Sequence, residues 1–129
     1  MKIWILKEGE PLPIENSNGR IMRAGMLAKI FSEMGSVVTW WSSTYLHYEK
    51  RYVSGVHQTL QVNPRLTLKL LHSSNGYQKN ISIKRIKYSK DLALKFKKQS
   101  RQEEKPDIIY CSWPLIDFAY EAVKYAQEF

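Results

Sequence analysis

The run KIWIL at residues 2–6 is short, nearly continuous in apolar side chains and rich in β-forming residues. Such a run is typical of a strand that is buried on both faces of a sheet. A loop containing Gly and Pro follows, and apolar residues then recur at helical spacing from Arg20 to Met34. A second β-forming run, VVTWW at residues 37–41, completes a strand–helix–strand unit. This unit predicts two neighbouring parallel strands joined by a crossover helix.

The second half of the chain continues the alternation of strands and helices. Residues 56–62 and 66–71 flank Asn63-Pro64 and predict two strands that meet at a turn. Residues 108–111, IIYC, predict another buried strand. Trp113-Pro114 predicts the start of a last helix, with an expected apolar face of Leu115, Phe118, Ala119, Ala122, Val123 and Ala126.

A basic segment lies between the predicted strands 66–71 and 108–111, and Ser82 is placed to cap a helix there. The apolar side of that helix is expected to include Ile83, Ile86, Ala93 and Phe96, with Lys and Arg elsewhere. The order of elements predicts a single α/β domain over residues 1–129, with a largely parallel sheet. Because the chain stops inside the last predicted helix, we expect it to be one part of a longer fold.

The composition is that of a globular protein, with 43% hydrophobic and 25% charged residues. Cys111 is the single cysteine, which excludes an internal disulfide and a cysteine-based zinc cluster and favours a reducing compartment. The apolar run at the N-terminus is too short for a signal peptide, and no stretch approaches the ~20 apolar residues that cross a bilayer. We therefore expect a cytoplasmic protein.

The net charge of +8 is concentrated between Lys79 and Lys105, where ten Lys and Arg residues stand against three acids. Such a segment can attract nucleic acid, anionic lipid head groups or acidic ligands. It can equally be a solvated helix face that keeps the protein in solution. Nucleic acid is the least favoured partner, because the aromatic residues lie mostly in apolar strands and not among the basic residues.

The loop after the first strand carries Asn18, Gly19 and Arg20. Ligands of open α/β sheets bind beyond the carboxyl ends of the strands, where this loop is expected. We expect these residues to stand at the start of a helix, where free N–H groups and the helix dipole favour an anion. Gly19 would let a phosphate or sugar approach the backbone, and Arg20 would pair with a phosphate. The alternative is an ordinary helix start with an arginine in solvent.

His47 lies in the loop after the second strand, beside Tyr45 and Tyr48. An aromatic-rich loop at this rim suits sugar stacking, and a histidine there is a candidate general base. The alternative is a loop histidine held by hydrogen bonds. His57 and His72 are expected to be structural, and since no pair of histidines has the spacing of metal ligands, no metal is expected.

Two common enzyme classes lack their motifs in this sequence. The fingerprint G-x-G-x-x-G is absent, and no acidic residue directly follows Trp41, which argues against a nicotinamide-binding domain. Ser112 follows a predicted strand without a surrounding G-x-S-x-G, which argues against a hydrolase nucleophile.

Several segments together resemble a known family. WILKEGEPLP at residues 4–13, continued through residues 18–20 and VTWWSST at residues 38–44, is similar to the N-terminus of bacterial family-4-type GT-B glycosyltransferases. Residues 70–80 and 106–122 are also similar to this family, so the resemblance covers essentially the whole chain. This chain departs from the family in one respect, because its first loop has a single glycine where two adjacent glycines are common.

The resemblance implies a Rossmann-like, three-layer domain with helices on both faces of a mostly parallel sheet, which is one half of a GT-B fold. It implies transfer of a sugar from a nucleotide-sugar donor to a glycan acceptor, often lipid-linked, in cell-surface polysaccharide synthesis. Neither a cofactor nor a metal is implied. The N-terminal domain of such an enzyme mainly holds the acceptor. The donor-binding C-terminal domain is not in this chain, so the isolated domain is expected to be inactive.

The resemblance also assigns roles to particular residues. Gly19 would lie near the donor phosphates, with Asn18 and Arg20 lining the same cleft, and His47 would be the catalytic candidate on the acceptor side. The further acceptor-side candidates are Glu15, Tyr45, Ser112 and Trp113.

The basic segment gains a role in this setting, because a peripheral enzyme acting on a lipid-linked acceptor benefits from cations that face anionic lipid. The candidates for this membrane-facing role at the inner face of the membrane are Lys84, Arg85, Lys87, Lys95, Lys97 and Lys98. The alternative function is a stand-alone, non-catalytic binding or scaffold module that partners a separate glycosyltransferase chain.

Overall fold

The computed structural model describes residues 1–15, 17–112 and 116–129. This part of the chain forms a mixed α/β structure with a five-stranded, mostly parallel sheet, a two-stranded ribbon and three helices. In chain order the elements are β1 (Lys2–Leu6), α1 (Arg23–Glu33), β2 (Val37–Ser43), β3 (Tyr45–Leu46), β4 (Arg51–Tyr52), β5 (Gln58–Asn63), β6 (Leu66–Leu71), α2 (Ile83–Ser100), β7 (Ile108–Cys111) and α3 (Ile116–Glu128).

The strands of the main sheet stand in the order β5-β6-β2-β1-β7. The strands β6, β2, β1 and β7 are parallel, and β5 pairs antiparallel with β6 at one edge. Ile5 of β1 lies opposite Trp40 of β2 on one side and Tyr110 of β7 on the other. The prediction of a largely parallel sheet with a hairpin around Asn63-Pro64 is therefore confirmed. The ribbon of β3 and β4 falls in a segment that was expected to be a loop.

Helices cover both faces of the sheet. Successive side chains of a strand point to opposite faces, so the neighbouring residues Trp40 and Trp41 belong to different halves of the core. Trp40 packs in the half that contains Ala24 and Ala28 of α1. Trp41 packs in the half that contains side chains of α2 and α3, and its ring lies edge-on to Phe96 at 5.1 Å between centroids.

The first helix begins at Arg23, three residues later than its predicted start at Arg20. Met22 stands at the N-cap and makes no side-chain hydrogen bond to the helix. The Glu10 carboxylate instead accepts a hydrogen bond from the backbone N–H of Ala24 at 3.0 Å. A carboxylate from outside the helix therefore satisfies one of the free N–H groups of its first turn.

The prediction for the buried face of α2 is wrong at its first turn. Ser82 caps the helix as expected, because its Oγ accepts the N–H of Arg85 at 3.2 Å. Ile83 and Ile86, however, are 74% and 56% exposed. The buried side chains are Tyr88, Leu92, Ala93, Phe96 and Ser100. A helix can bury only one stripe on the sheet, and the stripe with three large side chains four residues apart offers more apolar area than the isoleucines.

The buried face of α3 also differs in part from the prediction. Phe118 and Ala122 are buried as expected, whereas Val123 and Ala126 are exposed and Tyr125 takes their place. The larger Tyr125 ring packs against Trp4 at 5.1 Å between centroids. The expected start of this helix at Trp113-Pro114, together with Leu115, lies outside the described residues.

Across the described ranges, no helix combines the length and the apolar character that crossing a bilayer requires.

Candidate functional site

Loops from the carboxyl ends of the parallel strands and the first half of α2 bring six polar side chains together at one edge of the sheet. Glu8 follows β1, and His47 and Lys50 belong to the ribbon that follows β2. Tyr77 lies in the connection between β6 and α2. Arg85 and Tyr88 lie on α2. We call this group the edge cluster, and its members are Glu8, His47, Lys50, Tyr77, Arg85 and Tyr88.

Glu8 is a buried carboxyl group, only 4% exposed. The Tyr88 hydroxyl donates a hydrogen bond to Glu8 Oε2 at 3.1 Å. Burial raises the pKa of Glu8, because a charged carboxylate loses its hydration there, and the Tyr88 hydrogen bond and the nearby Arg85 partly oppose this increase. Burial also raises the pKa of Tyr88, so its hydroxyl remains a donor. A buried carboxyl group with a raised pKa is a feature of sites that bind or transfer protons.

His47 is held by the second buried tyrosine of the edge cluster. Its Nδ1 lies 2.5 Å from the hydroxyl oxygen of Tyr77, whose ring is fully buried. Burial, and then the negative Glu8, raise the pKa of Tyr77, so the phenol stays neutral. Burial lowers the pKa of His47, and the positive charge of Lys50 lowers it further. The imidazole is therefore neutral near pH 7, the state in which a histidine accepts a proton.

Two cations lie against the Tyr77 ring. Lys50 Nζ is 5.2 Å from the ring centroid, and the Arg85 guanidinium carbon is 5.1 Å from it. Both distances are typical of cation–π contacts. Lys50 Nζ also donates a hydrogen bond to the backbone oxygen of His47 at 2.5 Å. The edge cluster thus combines a neutral imidazole, a buried carboxyl group and two cations, which suits a ligand with hydroxyl and anionic groups.

The two tyrosines beside His47 have different positions. Tyr45, an acceptor-side candidate, is only 3% exposed, and its hydroxyl donates to the backbone oxygen of Tyr77. Its ring packs against Tyr52 at 4.9 Å between centroids. Tyr48 is 63% exposed and lies edge-on to His47 at 5.0 Å. Tyr48, and not Tyr45, therefore presents a ring at the surface of this rim.

Asn18, Gly19 and Arg20 lie before α1 and not at its first turn, which corrects the expected helix start. Asn18 donates to the Glu49 carboxylate from its backbone N–H at 3.2 Å. Gly19 has a φ of +119°, and a Cβ there would lie 3.0 Å from Pro11 Cγ. Arg20 is exposed. The glycine is thus explained by backbone geometry, and of the three residues Asn18 borders the His47 segment, through Glu49.

Two further acceptor-side candidates, Glu15 and Ser112, are not members of the edge cluster. Glu15 is exposed and lines a groove of about 510 Å³ beside β5. The backbone N–H of Ser112 donates a hydrogen bond to the backbone oxygen of Leu6 at 3.3 Å. Ser112 therefore lies at the same edge of the sheet as Glu8. Trp113 lies outside the described residues.

The other two histidines, which were expected to be structural, make hydrogen bonds to residues of other segments. His57 Nδ1 accepts the backbone N–H of His72 at 2.9 Å. His72 Nδ1 lies 2.8 Å from the hydroxyl oxygen of Thr44.

The six candidate membrane-facing cations differ in their exposure. Lys84, Lys87 and Lys98 are exposed, but Arg85 leans over the Tyr77 ring. The other two are partly buried, and Lys95 Nζ lies 3.5 Å from the Asp91 carboxylate.

Glu8, Tyr77 and Tyr88 were not identified from the sequence as site residues. Glu8 had a usable indication, because an acidic residue directly follows a fully apolar strand at the end where ligands bind. Tyr77 lies in a loop and Tyr88 in a basic helix, and only the fold brings them to His47 and Glu8. Among residues 1–15, 17–112 and 116–129, no three His, Cys, Asp or Glu side chains are grouped so that they could hold a metal ion.

Comparison with protein-family models, with curated proteins and with solved structures finds no significant match to this chain. The resemblance to family-4-type glycosyltransferases therefore stays a prediction, and the edge cluster is the structural feature from which a function can be inferred.

Proposed function

We propose that this chain is the Rossmann-like, acceptor-side domain of a GT-B glycosyltransferase. The observation that carries the proposal is the pair formed by His47 and Tyr77, beside the buried Glu8, at the carboxyl ends of parallel strands. The strand order supports it as well. The order β6-β2-β1-β7 puts a switch point between β1 and β7, where α/β sheets bind ligands, and Glu8 follows β1 there.

In the proposed reaction, His47 acts as the general base. Nε2 accepts the proton of the acceptor hydroxyl as that oxygen bonds to the anomeric carbon of the donor sugar. The bond from this carbon to the leaving phosphate breaks, and the nucleoside diphosphate departs with the electron pair. This role requires the tautomer in which Nδ1 carries its proton and donates it to the Tyr77 oxygen. Tyr77 is a positioning residue in this proposal, because it holds the ring through Nδ1.

The cations of the edge cluster would act on anionic groups. Lys50 and Arg85 lie on the Tyr77 ring, a short distance from the imidazole. We propose that they attract the phosphates of the donor, which the second domain of the enzyme would supply. Nucleotide-sugar is a substrate in this proposal, and no cofactor or metal is needed. The same proposal locates the enzyme in the cytoplasm, in keeping with a chain whose single cysteine allows no internal disulfide.

The test uses the native polypeptide from its source cell. Its mass should allow for a second domain, and it should release a nucleoside diphosphate from one member of a nucleotide-sugar panel when lipid-linked glycan acceptors are present. His47→Ala should lower this release by about 100-fold or more, the usual contribution of a general base. His57→Ala is the matched control, because its imidazole lies outside the edge cluster, and it should leave the release unchanged.

Equal release by the His47→Ala and wild-type proteins would remove the proposed base. A native polypeptide that ends near Phe129 and releases no nucleotide would instead favour a binding module that partners a separate catalytic chain.

A further inference from the structure

Four isoleucines are exposed around a groove between the first turns of α2 and α3. The groove has a volume of about 630 Å³, and its lining includes Ile83, Ile86 and Ile116. Isoleucine is among the residues most often buried in proteins, so a cluster of exposed isoleucines indicates a surface that binds something apolar. The exposed fractions are 96% for Ile81, 74% for Ile83, 56% for Ile86 and 61% for Ile116.

Exposed lysines lie in the same segment of the chain as these isoleucines. On α2, residues 83, 86, 87 and 90 fall on one side of the helix by their spacing, so Lys87 and Lys90 stand beside the isoleucines. Lys79 and Lys84 are exposed in the same segment. We call the combination of these isoleucines and lysines the isoleucine–lysine surface; its members are Ile81, Ile83, Ile86, Ile116, Lys79, Lys84, Lys87 and Lys90.

We propose that the isoleucine–lysine surface docks on an anionic lipid bilayer. The isoleucines enter the boundary between head groups and acyl chains, and the lysines contact the anionic head groups. The surface has the two properties that such a bilayer recognises, which are exposed apolar area and an excess of positive charge, because four lysines stand against Asp117, an acid that lines the groove. A nucleic acid would engage the lysines alone, because its phosphates offer nothing to four aliphatic side chains.

The isoleucine–lysine surface adjoins the edge cluster through Arg85. This residue lines the groove, and its guanidinium group lies over the Tyr77 ring. Docking would therefore bring the edge cluster close to the bilayer surface, where a lipid-linked acceptor is held. This last step rests on the proposed function, whereas docking itself does not.

The experiment is co-sedimentation of the purified protein with vesicles, without any sugar donor or acceptor. Vesicles of phosphatidylglycerol mixed with phosphatidylcholine should sediment the protein, and vesicles of phosphatidylcholine alone should sediment much less. The double variant Ile83→Ser, Ile86→Ser keeps every charge and should lower the partition coefficient by about tenfold, because apolar groups no longer enter the boundary. The triple variant Lys84→Gln, Lys87→Gln, Lys90→Gln should lower it by about fivefold for each lysine.

The matched control is Met26→Ser, Ile30→Ser, which removes two exposed apolar side chains of α1 on the opposite face of the sheet. It should sediment like the wild type. Ile81→Ser lies before α2 and gives a second variant that leaves the helix unchanged.

Absence of sedimentation with anionic vesicles would overturn the proposal. Equal losses in the α1 control and the α2 isoleucine variant would overturn it too. A third result would also overturn it, which is that the protein binds single-stranded DNA and the isoleucine variants bind vesicles as the wild type does. The lysines alone would then explain both kinds of binding. Because no transfer is measured, loss of the proposed enzymatic activity would leave this result intact.

Discussion

The Tyr88 hydroxyl on α2 donates a hydrogen bond to the buried carboxylate of Glu8 after β1, across 80 residues of sequence and 3.1 Å of space. This contact joins a helix on one face of the sheet to the loop at its carboxyl edge. Glu8 in turn faces the charges of Arg85, Lys7 and Lys50. The Glu8–Tyr88 pair therefore links the packing of the core to the electrostatics of the edge cluster.

Replacing Glu8 by Gln should change how stability depends on pH. Burial raises the pKa of Glu8 in the folded protein above its ordinary value in the unfolded chain. The folded state then holds a proton that the unfolded state has released, so this group lowers the free energy of unfolding as pH rises from its unfolded pKa to its folded pKa. Glu8→Gln should remove that decrease, and its stability relative to wild type should grow with pH across this window.

Urea unfolding at a series of pH values measures this difference. Glu15→Gln makes the same charge change at an exposed position and reports the effect of net charge alone. Parallel stability curves for wild type and Glu8→Gln would show that Glu8 has no raised pKa.

Replacing Tyr88 by Phe should destabilise the protein by about 1–3 kcal/mol, because it leaves a buried Glu8 oxygen without its donor. The ring, and with it the apolar packing, is kept. Tyr48→Phe removes a hydroxyl from a largely exposed ring and should change stability by about 0.5 kcal/mol at most. Denaturant unfolding at neutral pH measures the free energy of unfolding of the two variants. Equal losses of stability in both would contradict the Glu8–Tyr88 hydrogen bond.

Replacing Lys50 by Gln should raise the pKa of His47. Burial is the main reason that this pKa is low, and the positive charge of Lys50 is the next. Removing the charge makes protonation of the imidazole easier, so the titration should move toward higher pH. NMR titration of the His47 ring protons, assigned through their loss in His47→Ala, gives the value. Lys29→Gln on α1 removes an equal charge on the other face of the sheet and should leave the pKa of His47 unchanged. An unchanged pKa of His47 in Lys50→Gln would contradict the proposed effect of the Lys50 charge.

Replacing Gly19 by Ala should destabilise the protein by about 1 kcal/mol or more. Its φ of +119° is one that residues with a Cβ rarely adopt, and the added Cβ would lie 3.0 Å from Pro11. Gly55→Ala is the matched control, because its φ is not positive and a Cβ there has no neighbour within 4 Å. Thermal unfolding of both variants checks the difference. Equal melting temperatures would mean that Gly19 is present for some other reason than its backbone conformation.

The strands were predictable from the sequence because each is a short apolar run with its own local pattern. The ranges expected around 2–6, 66–71 and 108–111 agree with the strands observed. The buried faces of the helices were less predictable. Ile83 and Ile86 fit a helical spacing as well as Leu92 and Phe96 do, and which stripe is buried depends on the sheet against which the helix packs.

The candidate site was predictable in part. His47 could be selected because it stands among aromatic residues after a strand, and Glu8 could have been selected by the same rule. Tyr77 had no such local indication, since a tyrosine in a loop has no periodicity and no motif.

The sequence by itself determined the α/β class, the alternation of strands and helices and the basic character of α2, because apolar runs, periodicity and charge are local properties of the chain. Only the tertiary structure decided which side chains meet. The sheet order brings Glu8 to Tyr88 and His47 to Tyr77, and the competition between two stripes of α2 leaves its isoleucines at the surface. The physical reason is that burial and proximity are set by packing between elements distant in sequence, and both the pKa of a buried group and the surface left exposed follow from that packing.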